Sequence, residues 1–366
     1  MPIIALPFEY SAVIFVIFPK GDAVNHHLKR TDLFNCSLIS RDWRAAALPL
    51  LWKYIKILCG EANEGYDLDD RIWNQLADSL VGERASASQD NIDRASHIRE
   101  STIHVWNRRT RYMVHPDTAI IRILQLFLPS QLQSIRLNLN TSNVDDRQSY
   151  LSVLQTIFPA LSQRLKSLVF IDTERLPPPG PGPCRDFILQ NLPKSLQVFL
   201  CYSSQSALAT NSNNIFVLPE LRSLELWDLE MTADPLDQGL RTWHRNFNNL
   251  AIVRSPNFSE ARWCRLSPVV IRILRMLKLH AVWDNNSPDI SEKSLCHLID
   301  SCPHLEHLDL EYVTSLSDQF LAHCARHAGS LQSLEIKQSE VQFTGEGVTG
   351  GSDVLVSSCR SKRGIF

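Results

Sequence analysis

One stretch of the chain, residues 289–338, contains the same unit twice, and this repetition constrains the fold more than any other feature of the sequence. Leu305, Leu308 and Leu310 form an L-x-x-L-x-L run, and an equivalent run begins at Leu331, 26 residues after Leu305. The first run follows four apolar residues at the i, i+3, i+4, i+7 spacing of one helix face, namely Leu295, Leu298, Ile299 and Cys302. A helical pattern followed by a strand pattern, repeated at one interval in the twenties, predicts a solenoid of stacked units.

Each unit needs its neighbours, because a strand with one apolar face and a helix with one apolar stripe cannot bury both alone. The unit resembles a leucine-rich repeat of the kind with a cysteine near the helix end, as Cys302 stands in SCPHLEHLDL. Val313 and Ser339 hold the places where that family usually has Asn or Cys. The resemblance implies an α/β solenoid with parallel strands on the concave face and helices outside.

Further runs of the same kind extend the predicted solenoid over residues 96–340. Ile98, Ser101 and Ile103 make a degenerate first run. The later runs are predicted to begin at Leu132, Leu165, Leu196, Leu221, Leu250, Leu274, Leu305 and Leu331. The run at Leu250 is the least regular of them. Two intervening helices are predicted from apolar stripes, one at Ile120, Ile123, Leu124, Phe127 and Leu128 and one at Leu151, Leu154 and Phe158.

The composition is that of an ordinary soluble protein, with 44% hydrophobic and 21% charged residues among 366. Lys and Arg number 37 against 39 Asp and Glu, so no net charge favours nucleic acid or an anionic membrane. The apolar run at residues 11–18 is too short to span a bilayer. Nine Cys occur without a C-x-x-C pair, which indicates reduced thiols and a cytoplasmic and/or nuclear location.

The N-terminal segment, residues 6–57, carries a second resemblance. It contains Leu6-Pro7-Phe8-Glu9, then CSLISRDWR at 36–44 and LPLLW at 48–52, with helical stretches expected from Leu33 to Leu38 and from Trp43 to Ile55. In this order the motifs are similar to a fungal-type F-box, although residues 21–31 are longer than the usual loop of that family. The resemblance implies docking on a Skp-family adaptor. The matched candidates for that contact are Leu6, Pro7, Ile14, Phe15, Leu33 and Leu38, while Trp43 and Trp52 are expected to hold the domain together.

Together these features predict four regions: an F-box-like helical domain at residues 1–59, a polar linker at 60–95 with a short helix near 72–80, the solenoid at 96–340 and a flexible tail at 341–366. The resemblance implies a substrate-recognition subunit of an SCF-type cullin–RING ubiquitin ligase. The alternative is a leucine-rich-repeat interaction scaffold unconnected with ubiquitin, whose N-terminal helices only cap the solenoid. An apolar face exposed on those helices favours the first hypothesis, and one buried on the solenoid favours the second.

Catalytic and metal-binding chemistry are not predicted. No nucleotide-binding, metalloprotease or nucleophile-elbow motif occurs, so we expect no enzymatic activity and no cofactor. The Cys and His residues near 296–307 and 323–327 do not have the spacing of zinc ligands, and Cys302 belongs to the helix stripe.

The predicted strands define a binding surface instead. Residues between and after the leucines alternate away from the core and face the open side of the sheet. Its middle is aromatic and its C-terminal end acidic, an arrangement typical of protein-binding surfaces. The residues predicted to contact a protein target are Val169, Leu200, Tyr202, Glu225, Trp227, Lys278, Asp309 and Glu311.

Overall fold

The computed structural model describes the chain in separate ranges. They are residues 35, 37–59, 70–85, 97–106, 126, 132–140, 151–152, 154–156, 158–159, 164–172, 183–203, 212–228, 233–243, 247–254, 273–280, 290–311, 313–327, 330–337, 340–342 and 355–356. The chain divides into two compact units, Met1–Leu168 and Val169–Phe366. No helix among the described residues is both long enough and apolar enough to cross a bilayer.

The first unit contains helices and parallel strands. Its elements are α1 (Arg41–Leu51), β1 (Tyr54–Cys59), α2 (Asp70–Ala85), β2 (Glu100–Trp106) and β3 (Ser134–Asn140). β2 pairs in parallel with β1 on one side and with β3 on the other. The hydroxyl of Tyr54 donates a hydrogen bond to Thr102 Oγ1 at 3.0 Å, which joins side chains of β1 and β2.

Two predictions for this unit are wrong in their details. The second N-terminal helix was predicted to continue to Ile55, but α1 ends at Leu51 and residues 54–59 form a strand of the sheet. The segment contains the β-branched residues Ile55 and Ile57, which favour a strand. All six of its residues pair with β2. The polar region at 60–95 contains the 16-residue helix α2 rather than only a short one, and Ala77 and Leu80 of α2 are fully buried.

The second unit repeats the strand and helix pattern. Its elements are α3 (Pro183–Gln190), β5 (Val198–Ser203), a 3₁₀ helix (Ser212–Val217), β6 (Ser223–Trp227), α4 (Ala233–Trp243), β7 (Asn249–Val253), β8 (Met276–His280), α5 (Glu292–Ser301), β9 (His307–Glu311), β10 (Thr314–Ser317), α6 (Asp318–His327), β11 (Ser333–Lys337), β12 (Glu340–Gln342) and β13 (Leu355–Val356). β4 (Ser167–Asp172) contains the point at which the chain divides.

The strands of the second unit are parallel neighbours in the order β5, β6, β7, β8, β9, β11. β10 and β12 make a separate parallel pair. Parallel strands connected by helices place this chain in the α/β class, which confirms that part of the sequence-based prediction. Residues 355 and 356, in the region predicted to be a flexible tail, form β13 and pair with Ser333 and Leu334 of β11.

One backbone arrangement recurs at the start of the strands. The carbonyl of the residue directly before a strand accepts hydrogen bonds from successive N–H groups of the next repeat, as Gln197 does from Arg222 and Ser223 at 2.7 and 3.0 Å. In the second unit the acceptors are Gln197, Arg222, Asn248, Arg275 and Glu306, with Gln332 donating to the last. These six residues follow one another at intervals of 25, 26, 27, 31 and 26. Neighbouring repeats are therefore joined at the same backbone position, although the number of residues between these positions varies.

The structure corrects the register predicted at Leu250. Leu250 pairs with Leu224 on β6 and with Leu277 on β8, so it occupies the second apolar position of its run. The first position belongs to Phe247, which is fully buried and stacks on Trp243 at a ring-centroid distance of 4.8 Å. The run therefore reads F-x-x-L-x-I, with an aromatic residue in the leading position that leucine holds in the neighbouring repeats. The predicted intervals of 29 and 24 residues become 26 and 27, counted from Leu221 to Phe247 and from Phe247 to Leu274.

Candidate functional site

The candidate site lies on the outward face of the sheet in the second unit. Along β6, β9 and β11 buried and half-buried residues alternate, because successive side chains point to opposite sides of a strand. The inner positions are filled by leucine and isoleucine. Pairing in register places outward residues side by side on neighbouring strands, so Tyr202 lies beside Trp227 and Lys278 beside Asp309.

Five outward residues from four repeats come together, and we call them the Trp227 cluster: Tyr202, Trp227, Arg254, Lys278 and His280. The rings of Tyr202 and Trp227 have centroids 5.9 Å apart. Lys278 Nζ lies 5.0 Å from the centroid of Trp227, and Arg254 Cζ lies 5.7 Å from the centroids of both rings. Cations at these distances from aromatic rings are attracted to them, typically by about 0.5–1 kcal/mol where exposed.

The indole of Trp227 is held from both ends. Its Nε1 donates a hydrogen bond of 2.6 Å to Glu225 Oε1, two residues earlier on the same strand. The ring meets the imidazole of His280 edge-on, at 6.2 Å between centroids and 71° between planes. Edge-to-face geometry is favourable for aromatic pairs. The side chain is therefore oriented by polar and aromatic contacts rather than by a covering loop among the described residues.

β7 lies between β6 and β8, beneath the contacts that Trp227 makes with Lys278 and His280. Its outward residues Ala251 and Val253 are buried, although the equivalent positions on β6 are half-buried. Ala251 lies between Glu225 and Lys278 in register, and Val253 lies between Trp227 and His280. The side chains of β6 and β8 meet above the two smaller residues, which removes those residues from water.

Asp228 and Arg254 follow β6 and β7 directly, and both have positive φ, 55° and 51°. Arg254 Nη2 lies 2.7 Å from Asp228 Oδ2 and 3.3 Å from the hydroxyl oxygen of Tyr202. Their backbones are fixed as well, since the Asp228 N–H donates to the Val253 carbonyl and the Arg254 N–H to the His280 carbonyl. Non-glycine residues adopt this conformation where surrounding contacts hold them in it, and such positions are enriched at functional sites.

Burial and charge act oppositely on this ion pair. Burial raises the pKa of the Asp228 carboxyl above its ordinary value, by more than the charge and hydrogen bond of Arg254 lower it. Burial also opposes the charge of Arg254, but Asp228 and Tyr202 together raise the pKa of its guanidinium. The pair therefore favours the charged form of Arg254, whereas burial makes the ionised form of Asp228 less favourable than it is in water.

The acidic end of the face is linked to the Trp227 cluster through His280. His280 Nδ1 lies 2.9 Å from Glu311 Oε2, and its Nε2 lies 3.3 Å from Asp309 Oδ2. Asp309 also lies 3.6 Å from Lys278 Nζ and 3.8 Å from Lys337 Nζ. Burial alone would raise the pKa of Asp309, but His280, Lys337 and Lys278 outweigh it and hold that pKa below its ordinary value.

The eight predicted target-contact residues divide into two sets. Val169 on β4 and Leu200 on β5 are half-buried outward residues with no part in the described polar network. The contacts above bring together Tyr202, Glu225, Trp227, Lys278, Asp309 and Glu311. The predicted contacts did not include Asp228, Arg254 and His280, and the misplaced start at Leu250 hid the repeat that Arg254 follows. The run beginning at Phe247 was the signal that identifies it.

The first unit presents a different surface around α1. Ser40 caps this helix, its Oγ accepting from the Trp43 N–H at 3.2 Å, and Arg44 Nε donates to the Ser37 carbonyl at 3.1 Å. Four large apolar side chains here are more than half exposed: Leu38 at 60%, Ile39 at 68%, Trp43 at 54% and Leu50 at 57%. Trp43 and Trp52 were expected to hold the domain together; the exposure of Trp43 does not support that role, whereas Trp52 is half-buried. Leu6, Pro7, Ile14, Phe15 and Leu33 lie outside the described residues.

Cys302 at the end of α5, and His323 and Cys324 of α6, are in structural contacts. Burial raises the pKa of the Cys302 and Cys324 thiols to about 12, so both remain protonated at neutral pH. His323 Nε2 lies 2.8 Å from Asp300 Oδ1 and links the two helices. In the ranges that the structure describes, no group of three or more His, Cys, Asp or Glu is arranged to hold a metal ion.

Comparison with known proteins adds one structural similarity. No protein-family model matches this chain, and no curated protein matches it in sequence. Among solved structures, a chain in the crystal structure of the Rad7 and Elc1 complex in yeast is similar at a TM-score of 0.44 and 14% identity, over 87% of this chain and 83% of that chain. A similarity at this TM-score carries no argument about the function or partners of this chain.

Proposed function

We propose that this chain is a substrate-recognition subunit of an SCF-type cullin–RING ubiquitin ligase. In this role it binds a Skp-family adaptor through the N-terminal segment and a target protein through the outward face of the second unit. It contributes proximity between the target and a conjugating enzyme rather than catalysis by its own residues. It would act in the cytoplasm and/or the nucleus.

The observation that supports adaptor docking is the exposed apolar surface at residues 38–50. Leu38, Ile39, Trp43 and Leu50 are solvent-accessible within the segment that resembles an F-box. Burying one such side chain in an interface is worth about 1.5–3 kcal/mol when the burial is complete. An exposed cluster of this kind favours a docking surface over a helical cap that hides its apolar residues on a solenoid.

The Trp227 cluster supports target binding by the second unit. Aromatic and arginine side chains dominate binding energy at protein interfaces, and here two aromatic rings and Arg254 lie together with a charged border. The described contacts hold them in fixed positions, which lowers the entropy lost on binding. The same surface would also serve a scaffold, so adaptor binding is the property that separates the two hypotheses.

Co-purification of the full chain with a Skp-family adaptor tests the proposal. We expect a stable complex with the unchanged chain and its loss in Leu6→Ala/Pro7→Ala and in Leu33→Asp. Met276→Asp, at a 41% exposed apolar residue of β8 in the other unit, is the matched control and should retain binding. A folded full-length chain that does not bind the adaptor would exclude the ligase role and leave the interaction scaffold.

A further inference from the structure

The outward face of the second unit changes in character from one strand to the next. Pairing in register arranges the outward side chains of β5 to β9 and β11 in three rows, at the start, the middle and the end of the strands. On β5 the outward residues are all apolar or aromatic, namely Val198, Leu200 and Tyr202. On β9 the middle and end rows hold carboxylates, Asp309 and Glu311. The face therefore runs from an apolar side at β5 to an acidic side at β9.

The apolar side of the face is accessible to a partner. Val198 is 37% exposed, and Leu200 and Tyr202, the next outward residues of β5, are half-buried. Tyr202 lies against Trp227, and Met276, which is 41% exposed, shares the first row with Val198. Neighbouring apolar side chains that remain accessible are typical of a surface that binds another protein. An apolar side chain of a partner would lose its contact with water on this side of the face.

Carboxylates outnumber lysine and arginine on the described part of this face, counted over its strands and the two residues that directly follow β6 and β7. Each lysine or arginine already has a carboxylate beside it. Arg254 lies 2.7 Å from Asp228, and Lys278 and Lys337 lie 3.6 and 3.8 Å from Asp309. The carboxylates are Glu225, Asp228, Asp309, Glu311 and Glu335, against Arg254, Lys278 and Lys337.

Two of these carboxylates differ from the others in their contacts. Glu225 accepts the hydrogen bond of Trp227 Nε1 at 2.6 Å, and Glu311 lies 2.9 Å from His280 Nδ1. Among the described residues, neither Glu225 nor Glu311 forms an ion pair with lysine or arginine. A positively charged partner can therefore pair with them without displacing an existing ion pair. An anionic partner would have to compete with the carboxylates that already hold the basic side chains.

The acidic side of the face stabilises a positive charge at Lys337. Burial would lower the pKa of this ammonium group, but its hydrogen bond to Glu335 and the charges of Asp309, Glu335 and Glu311 raise that pKa above its ordinary value. Lys337 and Glu311 lie side by side in register at the ends of their strands. A lysine or arginine of a partner that approaches Glu311 would meet the same group of carboxylates.

We propose that this face binds a target segment that carries a large apolar side chain and a lysine or arginine. The apolar side chain lies on β5 and Trp227, and the basic side chain lies at Glu311. β5 and β9 are four strand spacings apart, a distance of about 19 Å that an extended peptide covers in about six residues. The two side chains are therefore about five to seven positions apart in an extended target segment. This chemistry belongs to the face that the proposed function assigns to target binding, and it rests on that assignment.

Phage display of random dodecapeptides on the immobilised full chain tests this preference. We expect the selected clones to combine a large apolar residue with lysine or arginine about five to seven positions away, well above the frequency of this pattern in the unselected library. In a synthetic peptide of the strongest clone, replacing the basic residue by glutamate should weaken binding at least about tenfold, as measured by fluorescence polarisation. This comparison of two peptides uses only the unchanged chain. Selection of acidic clones, the absence of any binding clone, or equal affinity of the two peptides would overturn the proposal.

Two pairs of matched variants locate the bound peptide. Val198→Ser should weaken binding at least about fivefold, whereas Val217→Ser, at an exposed valine of the 3₁₀ helix, should leave it unchanged. Glu311→Gln should weaken binding by a similar factor, whereas Glu220→Gln, at an exposed glutamate of the turn before β6, should not. Circular dichroism and urea denaturation establish that each variant is folded. Equal binding by the two members of either pair would overturn the proposed position of the peptide on the face.

Calorimetry of the unchanged chain with a Skp-family adaptor separates this proposal from the ligase role. If the chain binds the adaptor but selects acidic peptides, only the target chemistry proposed for the face is wrong. If the chain selects the expected basic peptides but does not bind the adaptor, the ligase role is wrong and the face keeps its preference in an interaction scaffold.

Discussion

Asp228 and Arg254 end neighbouring strands in the same left-handed backbone conformation, and their side chains are joined at 2.7 Å. The Asp228 N–H is bound to the end of β7, and the Arg254 N–H is bound to the end of β8. Arg254 in turn lies against both rings of the Trp227 cluster. The backbone conformations of Asp228 and Arg254 therefore help to position the guanidinium that contacts Tyr202 and Trp227.

The backbone conformation of Asp228 predicts that glycine is more stable than alanine at this position, the reverse of the usual order. Asp228→Ala and Asp228→Gly both remove the carboxylate, but only glycine adopts φ near 55° without steric cost. We expect the glycine variant to be more stable than the alanine variant by about 1 kcal/mol in urea denaturation. At Gln238, an exposed residue of α4, the order should be the ordinary one, with alanine more stable than glycine. An alanine variant at 228 as stable as the glycine variant would mean that the backbone there is not strained.

Asp309 and Asp228 predict opposite pH effects of the same substitution. The pKa of Asp309 is lowered on folding, so its ionisation stabilises the fold above its ordinary pKa of about 3.9 and this stability is lost as pH falls below it. Asp309→Asn should therefore be destabilising at pH 7 and progressively less so towards pH 3.

The pKa of Asp228 is raised on folding, so its ionisation opposes folding as pH rises through and above about 3.9. In Asp228→Asn this cost is absent, and the variant should gain stability relative to the unchanged chain between pH 3 and pH 7. Urea denaturation of both variants at pH 3, 5 and 7 measures the two trends. Trends of the same sign would contradict the assigned environments.

The corrected register of the β7 repeat predicts a large effect at Phe247. This residue is fully buried at the first apolar position and packs on Trp243, so Phe247→Ala should lower the free energy of unfolding by about 3–5 kcal/mol. Asn249→Ala, on the outward face two residues later, should change it by less than about 1 kcal/mol. A small effect at Phe247 would contradict its assignment to the first apolar position of the run.

Sequence patterns predicted the parallel strands wherever leucine or isoleucine holds the leading positions. The runs at Leu196, Leu221, Leu274, Leu305 and Leu331 each lead into an observed strand, because burying one face of the strand requires those apolar side chains at fixed spacing. The run at Phe247 was misplaced because an aromatic residue serves the same packing role. At Tyr54 a helical stripe and a strand pattern overlap, and pairing with β2 decided between them.

The sequence predicted where the site lies better than it predicted the side-chain contacts and backbone conformations within it. Alternation along the strands identified Trp227, Lys278 and Asp309 as outward residues. It could not show that Trp227 reaches across β7 to His280, because that contact depends on the small residues Ala251 and Val253 beneath it. Positive φ at Arg254 likewise has no signal in the residue type, whereas aspartate, as at Asp228, adopts this conformation more readily than most residues.

The exposure of apolar side chains on α1 predicts that they can be replaced with little effect on the stability of the fold. Trp43→Ser and Leu50→Ser remove side chains that are more than half exposed, so each should change the free energy of unfolding by less than about 0.5 kcal/mol. Ala47→Asp, at a buried position of the same helix, should be clearly destabilising, because it places a charge where water is excluded. Thermal and urea denaturation distinguish these cases. A strong loss of stability in Trp43→Ser would show that the residue has a packing role.

The affinity of the full chain for a purified Skp-family adaptor, measured by isothermal titration calorimetry, tests the central claim most directly. Leu38→Asp is the informative variant, since this residue matches the F-box resemblance and is 60% exposed. Val217→Asp, at a 54% exposed valine of the second unit, is the control for adding one charge at an apolar surface position. We predict one adaptor bound per chain, at least tenfold weaker binding in Leu38→Asp and unchanged binding in Val217→Asp. Absence of binding by the folded, unchanged chain would contradict the ligase role.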